Sequence, residues 1–306
     1  MQSLTIDHLH PLLIVTEEDH DTPPGHLRFF PINELADEAK RLSDLGLNRC
    51  KLYVKTRNDL KDKKASQGLE KNSLMVRAVQ EIMNSNPNMK VGTEVCACAY
   101  HSDGECVITN PNGIDNMATH QLVSEIAVLH ADAGARTIVA GLTHPGSIAA
   151  IRDALDLNGH PNVSVIGSIQ LRTGFYAPYR VMMGTEPEAG ETFRSHLLPS
   201  DDEAIMAAAC QYVAEGASIL SIQPALLGVP LISKIKSKVD VPLFAYSVST
   251  ELNLVRDRQE DLWLAEGQEA IFAEYFNMLI QSGTDGIQTY VARELATWLL
   301  DQDLLN

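Results

Sequence analysis

Three cysteines lie close together in a chain of 306 residues that contains only five. They are Cys96, Cys98 and Cys106, within the stretch TEVCACAYHSDGEC. Three thiolates in a short loop can bind a tetrahedral Zn²⁺ and leave its fourth position for water or substrate, which is typical of a catalytic zinc site. The alternative is that one or two of them are small buried hydrophobic residues, as free cysteines often are. We assign that core role to Cys50 and Cys210.

Candidates for proton transfer lie near this cysteine cluster. His101, Asp103 and Glu105 belong to the same loop. Each could act as a fourth ligand, as a partner of a ligand or as a proton donor, and each could equally be an exposed loop residue. His144 precedes Pro145-Gly146 at the end of an apolar segment. Its imidazole could act as a general base if it turns inward, or it could cap the following helix.

Eight short apolar segments, rich in β-branched residues, alternate with amphipathic helical stretches and predict strands. The eight segments begin at Pro11, Arg49, Lys90, Arg136, Val163, Ser218, Pro242 and Gly286. Several helical stretches end on a glycine just before the next strand, and one of them begins with a predicted cap at Ser200. Eight strand–helix units predict an α/β fold, a (β/α)8 TIM barrel. We expect one domain over residues 1–306, with a very short N-terminal arm.

The carboxyl ends of the predicted strands are unusually polar, and active sites of (β/α)8 barrels lie at that end. The polar side chains include Thr143, Ser168, Gln170, Arg172, Gln223, Tyr246, Ser247, Ser249, Gln288 and Tyr290. The charged segment 55–72, after the second strand, is expected to be a solvated surface loop. The segment 179–199, after the fifth strand, is a candidate lid over the site.

The overall charge restricts the partners of the chain. A net charge of −16 and a pI near 5.0 argue against sequence-independent binding to nucleic acid or to an anionic membrane surface. No apolar run approaches the roughly 18 residues that a membrane span needs, and the stretch MQSLTIDHLH does not resemble a secretion signal. We expect a cytoplasmic protein whose partners are small molecules and copies of itself.

The sequence resembles the porphobilinogen synthase family, also called 5-aminolevulinate dehydratase, along nearly its whole length. EVCACAYHSDGEC is similar to the cysteine loop of the zinc-dependent members, and AGARTIVAGLTHPGSIAAIRDALD to the fourth strand and its helix. The segments GFYAPYR, EGASILSIQPAL, AYSVSTE and TYVARELATWL follow in the order that the family shows. The resemblance implies a barrel enzyme with Zn²⁺ bound by the three cysteines.

The resemblance also implies how a substrate binds. Arg180, with Tyr176 in the same segment, would bind one substrate carboxylate, and Ser249 with Tyr290 would bind another. Arg194 lies about where the family has a substrate-binding glutamine. In this family the zinc contacts the substrate amine. We therefore expect a small substrate that bears carboxylates.

The chain departs from the family where the chemistry takes place. Two lysines of the family form Schiff bases with two 5-aminolevulinate molecules, and they fall on Gln170 and Gln223 here. An amide nitrogen is not nucleophilic and cannot become an imine. We therefore expect a zinc-dependent enzyme with altered chemistry, a lyase- or condensation-type reaction of a small amino or keto carboxylic acid. His144, His101 and Glu105 are its proton-transfer candidates.

Two alternatives stay open beside this interpretation. One is a catalytically silent homologue that binds zinc or a metabolite, and a pocket filled by side chains would favour it. The other is residual 5-aminolevulinate dehydratase activity by an altered route. Family members assemble from dimers into larger rings through an N-terminal arm, and the short arm here predicts a homodimer more readily than an octamer.

A relocated lysine could compensate for the two missing ones. Lys51 and Lys55 alternate with Tyr53 along the second strand, so all three lie on one face of it. If that face is the barrel interior, a lysine there could form an imine. The other face of the strand is apolar and could pack against the helices, and we expect Lys55 to lie at the surface.

Overall fold

The strands and helices form a closed barrel. The computed structural model of the chain describes residues 3–17, 27–186, 196–256 and 267–305. Residues 303–305 are described by their backbone alone. The strands, in chain order, are β1 (Leu9–Thr16), β2 (Phe29–Pro31), β3 (Arg49–Lys55), β4 (Lys90–Val95), β5 (Thr109–Asn110), β6 (Gly113–Ile114), β7 (Thr137–Ala140), β8 (Ser164–Gln170), β9 (Ile219–Gln223), β10 (Leu243–Tyr246) and β11 (Gly286–Thr289). The helices are α1 (Leu35–Asp44), α2 (Leu74–Ser85), α3 (Asn116–Asp132), α4 (Ser147–Leu157), α5 (Ala177–Met183), α6 (Asp202–Ala214), α7 (Ala225–Lys236), α8 (Ser249–Arg256), α9 (Gly267–Gln281) and α10 (Ala292–Leu305).

Eight of the strands make the barrel wall, in the order β1, β3, β4, β7, β8, β9, β10 and β11. All neighbours are parallel, and β11 pairs with β1 to close the ring, with Leu9 opposite Ile287. The short β2 lies beside the upper part of β1, and β5 and β6 form a separate hairpin. The predicted (β/α)8 barrel is confirmed, and its eight strands are the eight apolar segments.

The helix ends follow the local sequence. The glycines predicted to end helices, at Gly46, Gly134, Gly216 and Gly283, all have a positive φ. One predicted cap is wrong: α6 is capped by Asp201 instead of Ser200, because the Asp201 carboxylate accepts the Ala204 N–H at 3.0 Å. A carboxylate one residue later reaches the free N–H groups of the first turn.

The two faces of each strand have different surroundings. On β3 the apolar face, with Cys50 and Leu52, packs in the main core between strands and helices. The other face points into the barrel, where Tyr53 belongs to a second apolar cluster. Cys210 was expected in the core, but it is exposed, because the buried residues of α6 are Ile205, Ala209 and Tyr212 and Cys210 points away from them.

None of the described helices is both long enough and apolar enough to cross a membrane.

Candidate active site and metal centre

The three clustered cysteines meet at the carboxyl end of β4. Their Sγ atoms all lie within 4.8 Å of one another, with Cys96 and Cys106 buried and Cys98 partly buried. In a tetrahedral thiolate site, with zinc–sulfur distances of about 2.3 Å, the sulfur atoms are about 3.8 Å apart. The cluster therefore needs only a small contraction to hold a metal ion, and thiolates favour soft or borderline ions.

The charged segment 55–72 supports the cysteine loop, which we define as residues 96–106. The Asp62 N–H donates to the Tyr100 carbonyl at 3.2 Å, and the Asp62 carbonyl accepts the Ser102 N–H at 3.0 Å. Lys61 donates to the Gly184 carbonyl at 2.6 Å, just after α5. Most residues of this segment are exposed, as expected of a solvated surface loop, and its backbone also pairs with the loop that carries the cysteines.

Arg180 of α5 joins the cysteine loop to the barrel. Its Nη1 donates to the carbonyls of Gly104, at 3.1 Å, and Thr185, at 3.3 Å, while Nη2 lies 3.5 Å from Cys106 Sγ. Gly104 is required here: its φ is +68°, and a Cβ atom would lie 2.5 Å from the Thr185 carbonyl oxygen. The guanidinium therefore holds the loop against α5 and faces a thiol.

The electrostatics of the cluster favour one thiolate in particular. Hydrogen bonds from Cys96 and Cys98, and then the nearby Arg180 guanidinium, hold the pKa of Cys106 well below its usual range. Hydrogen bonds with Cys106 and Cys98, together with burial, raise the pKa of Cys96. A cysteine cluster with a cation beside it is suited to bind a metal ion, since the thiolate is the form that binds.

The opposite side of the cavity carries two amides. Gln170 ends β8, and Gln223 ends β9. The Gln170 amide donates to the Gly141 carbonyl at 3.1 Å and accepts from the Thr143 hydroxyl at 3.4 Å. The backbone carbonyl of Gln223 accepts the Tyr176 hydroxyl at 2.8 Å. We call these two strand ends the amide wall.

A buried carboxyl group braces the turns that follow β9 and β10. Glu251 accepts the Leu226 N–H at 2.8 Å with one oxygen and the Val248 N–H at 2.9 Å with the other. Burial raises the pKa of Glu251 to about 7, although both hydrogen bonds act against this shift. The nearby Ser249 hydroxyl is buried, and no described residue hydrogen-bonds to it.

The floor of the cavity is an ion pair. Lys51 Nζ lies 2.6 Å from Glu94 Oε2 and stands over the rings of Tyr53, at 4.5 Å, and Tyr246, at 5.4 Å. Burial lowers the pKa of Lys51 and raises that of Glu94, and their mutual attraction opposes both shifts. Gly141 makes room for the carboxylate, since a Cβ there would lie 1.7 Å from Glu94 Oε1.

Most of the site residues named from the sequence surround one cavity of about 60 Å³. Those that line it are Cys96, Cys98, Cys106, Gln170, Tyr176, Arg180, Gln223 and Ser249. Tyr290 lies next to them, with its hydroxyl 2.8 Å from that of Tyr246, which does line the cavity. Arg194, and residues 187–195 of the candidate lid, lie outside the described residues. The structure thus brings together cysteines, amides and carboxylate-binding candidates.

The three proton-transfer candidates are not among the described residues that line this cavity. Thr143 hydrogen-bonds to Gln170, whereas the ring of His144 packs beside His120 with ring centroids 5.4 Å apart. Burial, and then His120, lower the pKa of His144. The condition attached to its predicted role, that the ring turns inward, is not met.

His101 and Glu105 are buried in the cysteine loop rather than exposed on it. The Nδ1 atom of His101 accepts the Asp103 N–H at 3.1 Å, and burial lowers the pKa of the ring. Glu105 immediately precedes Cys106, whose side chain takes the place on the cavity side. Neither residue is among the described residues that line the cavity, and their role in proton transfer stays a prediction.

One cavity residue was missed from the sequence. His196 is buried, lies near enough to Cys106 to help lower the pKa of that thiol, and packs against the Tyr176 ring with centroids 5.3 Å apart. The chain returns to the barrel here because Leu197 forms a bridge with Leu171, just after β8. No motif around His196 indicates this return, so only the tertiary pairing reveals it.

The fold and the site define a (β/α)8 barrel with a thiolate cluster at the carboxyl ends of its strands. The sequence profile of the delta-aminolevulinic acid dehydratase family matches residues 2–298. The chain belongs to this family, whose members are lyase-type enzymes, and the resemblance seen in the sequence is confirmed.

Two curated relatives and one solved structure illustrate the match. The delta-aminolevulinic acid dehydratase of Methanothermobacter thermautotrophicus is 31% identical over 277 residues, covering 90% of this chain and 82% of the relative. The Bacillus subtilis delta-aminolevulinic acid dehydratase is 27% identical over 299 residues, covering 96% of this chain and 91% of the relative. The Toxoplasma gondii enzyme, in complex with its reaction product porphobilinogen, matches with a TM-score of 0.92 at 23% identity, covering 97% of this chain and 86% of that one.

Proposed function

We propose that the chain is a zinc-dependent enzyme of this family with altered chemistry. It catalyses a lyase- or condensation-type reaction of a small amino or keto carboxylic acid. The observation that carries the proposal is the amide wall: Gln170 and Gln223 end neighbouring strands and face the same cavity as the three cysteines. Neither amide can form a Schiff base, so covalent capture of two substrates at these positions is not available.

The cysteine cluster supports the metal part of the proposal. Cys96, Cys98 and Cys106 would hold Zn²⁺, and a bound zinc ion supplies a Lewis acid that polarises a substrate oxygen or binds an amine. Arg180 hydrogen-bonds to Cys106 and His196 lies beside it, and neighbours of this kind orient a ligand and tune its basicity. The cysteines are thus held in place by the chain itself.

The cavity supports binding of a small carboxylic acid. The buried Ser249 hydroxyl can donate to a carboxylate, and Arg180 adds a cation to the wall. The described side chains leave this cavity open, which favours an enzyme over a silent homologue with a filled pocket. We also propose a cytoplasmic location and a homodimer or larger homo-oligomer, and light scattering on the eluting protein measures the latter.

Metal content tests the cysteine cluster. We expect the purified chain to carry one zinc ion, measured by native mass spectrometry and by elemental analysis after denaturation. Cys98→Ser should lower metal affinity by at least about 100-fold. Cys98 is the least buried of the three, so its replacement disturbs folding least. The matched control is Cys210→Ser, an exposed cysteine on α6, which should leave metal content unchanged. Equal zinc in both variants would refute the site.

Product formation tests the altered chemistry. The chain is incubated with 5-aminolevulinate and zinc, and porphobilinogen is detected with Ehrlich reagent, with the Bacillus subtilis relative as positive control. We expect no colour above that of a boiled sample. Turnover near that of the control would overturn the proposal in favour of dehydratase activity. A zinc-bound chain that neither binds nor converts any of a panel of keto and amino acids would instead identify a silent homologue.

A further inference from the structure

We propose that Lys51 is the nucleophile of this site and forms an imine with the carbonyl carbon of a keto-acid substrate. The inference rests on the proposed function and deepens it by naming the substrate class and the reacting atom. It starts from an unusual placement, because Lys51 is the only buried lysine among the described residues.

The Lys51 side chain is buried inside the barrel, between two cavities. Above it, Glu94, Tyr53 and Tyr246 line the cavity that the cysteines share. Below it, Lys51 itself lines a second cavity of about 290 Å³, which opens towards the amino ends of the strands. The Nζ atom contacts three residues of the upper cavity, so a carbonyl group at the bottom of that cavity comes close to the amine.

The surroundings of Lys51 favour a reactive amine. Its side chain is 5% exposed and lies against two tyrosine rings. Burial lowers the pKa of Lys51, which increases the fraction of neutral, nucleophilic amine. A buried ion pair is weak support for stability, since desolvation offsets the attraction. The Glu94 carboxylate, 2.6 Å away, holds the amine in one direction.

The chemical step balances without a further reactant. The Nζ lone pair attacks the carbonyl carbon, and the carbon–oxygen bond breaks. The two hydrogens of the neutral amine leave with that oxygen as one water molecule, and a carbon–nitrogen double bond remains. Nothing is oxidised or reduced. With the carbonyl above Lys51, a short keto acid can direct its carboxylate towards Ser249 in the cavity wall.

Reductive trapping tests the inference on the whole chain. The protein is incubated with 4-oxopentanoate or with pyruvate, each with sodium borohydride, and analysed by intact and peptide mass spectrometry. We expect one reduced adduct per chain, located on Lys51. Lys51→Arg keeps a cation beside Glu94 but cannot form an imine, and should lower trapping at least tenfold. The matched control is Lys55→Arg, two residues further along β3, which should trap as the wild type does.

The outcomes separate this inference from the proposed function. No adduct in the wild type, or an adduct located on another residue, overturns the role of Lys51, even if zinc content and the Ehrlich result are as expected. Trapping at Lys51 in a chain without zinc would support the inference while refuting the metal proposal. Peptide mapping of the wild type decides the site even if Lys51→Arg folds poorly, which circular dichroism would show.

Discussion

The two sides of the cavity are braced by opposite charges. The cysteine loop is held by cations: Arg180 lies against Cys106, and Lys61 ties the supporting segment to the end of α5. The turn after the amide wall is held by a carboxyl group, Glu251, which accepts two backbone N–H groups. Thiolates need positive charge nearby, whereas free N–H groups at helix starts need an acceptor. The difference shows that the metal-binding side is held by cations and the amide side by a carboxyl acceptor.

Removing the cation should have the largest effect. Arg180→Met leaves the Cys106 thiolate and two carbonyls without their partner. We expect the free energy of unfolding to fall by about 4 kcal/mol, because removing one partner of a buried charged contact leaves the other partner buried and uncompensated. Denaturant unfolding measures the change. Arg180→Lys keeps the positive charge but lacks the planar guanidinium with its several N–H donors, and it should retain part of this stability. Equal stability of the wild type and Arg180→Met would show that the cysteine side of the cavity does not depend on this cation.

On the other side of the cavity, Glu251 predicts that the free energy of unfolding falls as the pH rises. Its folded pKa is about 7, above the ordinary value of 4.5 for a glutamate, so between these two pH values the folded state holds a proton that the unfolded state has lost. The contribution of Glu251 is therefore present below pH 4.5 and is lost as the pH rises through 7. This loss is about 3 kcal/mol.

The measurement is the free energy of unfolding between pH 5 and pH 8, as a difference between variants, since other groups titrate as well. Glu251→Gln should remove this share of the pH dependence. Glu203→Gln, an exposed position on α6, is the control and should keep it. A Glu251→Gln curve parallel to the wild type would show that the carboxyl is already ionised at pH 5.

A smaller effect should follow from crowding the cysteine loop. Gly104→Ala places a methyl group against the Thr185 carbonyl at a positive φ, and we expect a loss of about 2 kcal/mol together with weaker metal binding. Gly159→Ala is the matched control, because Gly159 has a similar φ of +85° and nothing within 4 Å of a Cβ. Thermal unfolding of both variants separates the contact from the backbone strain. Equal losses would mean that the contact contributes nothing.

The smallest effect should come from the amide wall itself. Gln170→Met keeps the size of the side chain and removes its hydrogen bonds to Gly141 and Thr143. We expect a loss of about 1 kcal/mol and no change in zinc content. Chemical denaturation and elemental analysis measure the two quantities. A loss of metal in this variant would show that the two sides of the cavity are coupled.

Local sequence predicts much of this molecule. The eight apolar segments became the eight strands of the barrel, and the predicted helix-ending glycines adopt positive φ angles. The spacing of Cys96, Cys98 and Cys106 predicted a cluster, and their sulfur atoms do meet. These features depend on patterns that repeat with strand or helix geometry, or on residues within one loop, so they can be inferred from the local sequence.

The local sequence did not predict which way individual side chains point, or where the chain comes back to the barrel after a long loop. His144 packs beside His120, and neither His101 nor Glu105 is among the described residues that line the cavity. His196 reaches the site only through the pairing of Leu197 with Leu171. These placements depend on contacts between distant segments, which no local pattern encodes.

The sequence by itself therefore determined the barrel, the cysteine cluster and the loss of both lysines at the ends of β8 and β9. It also offered a relocated lysine, Lys51 or Lys55, with Lys55 expected at the surface, but it could not show that Lys51 faces the barrel interior. Only the tertiary structure decided that Lys51 lies under the cavity beside Glu94 while Lys55 lies at the strand end, over the Phe29 ring. The physical reason is barrel closure: it buries one face of β3 among tyrosines and a carboxylate from other strands, and burial with those partners sets the chemistry of an amine.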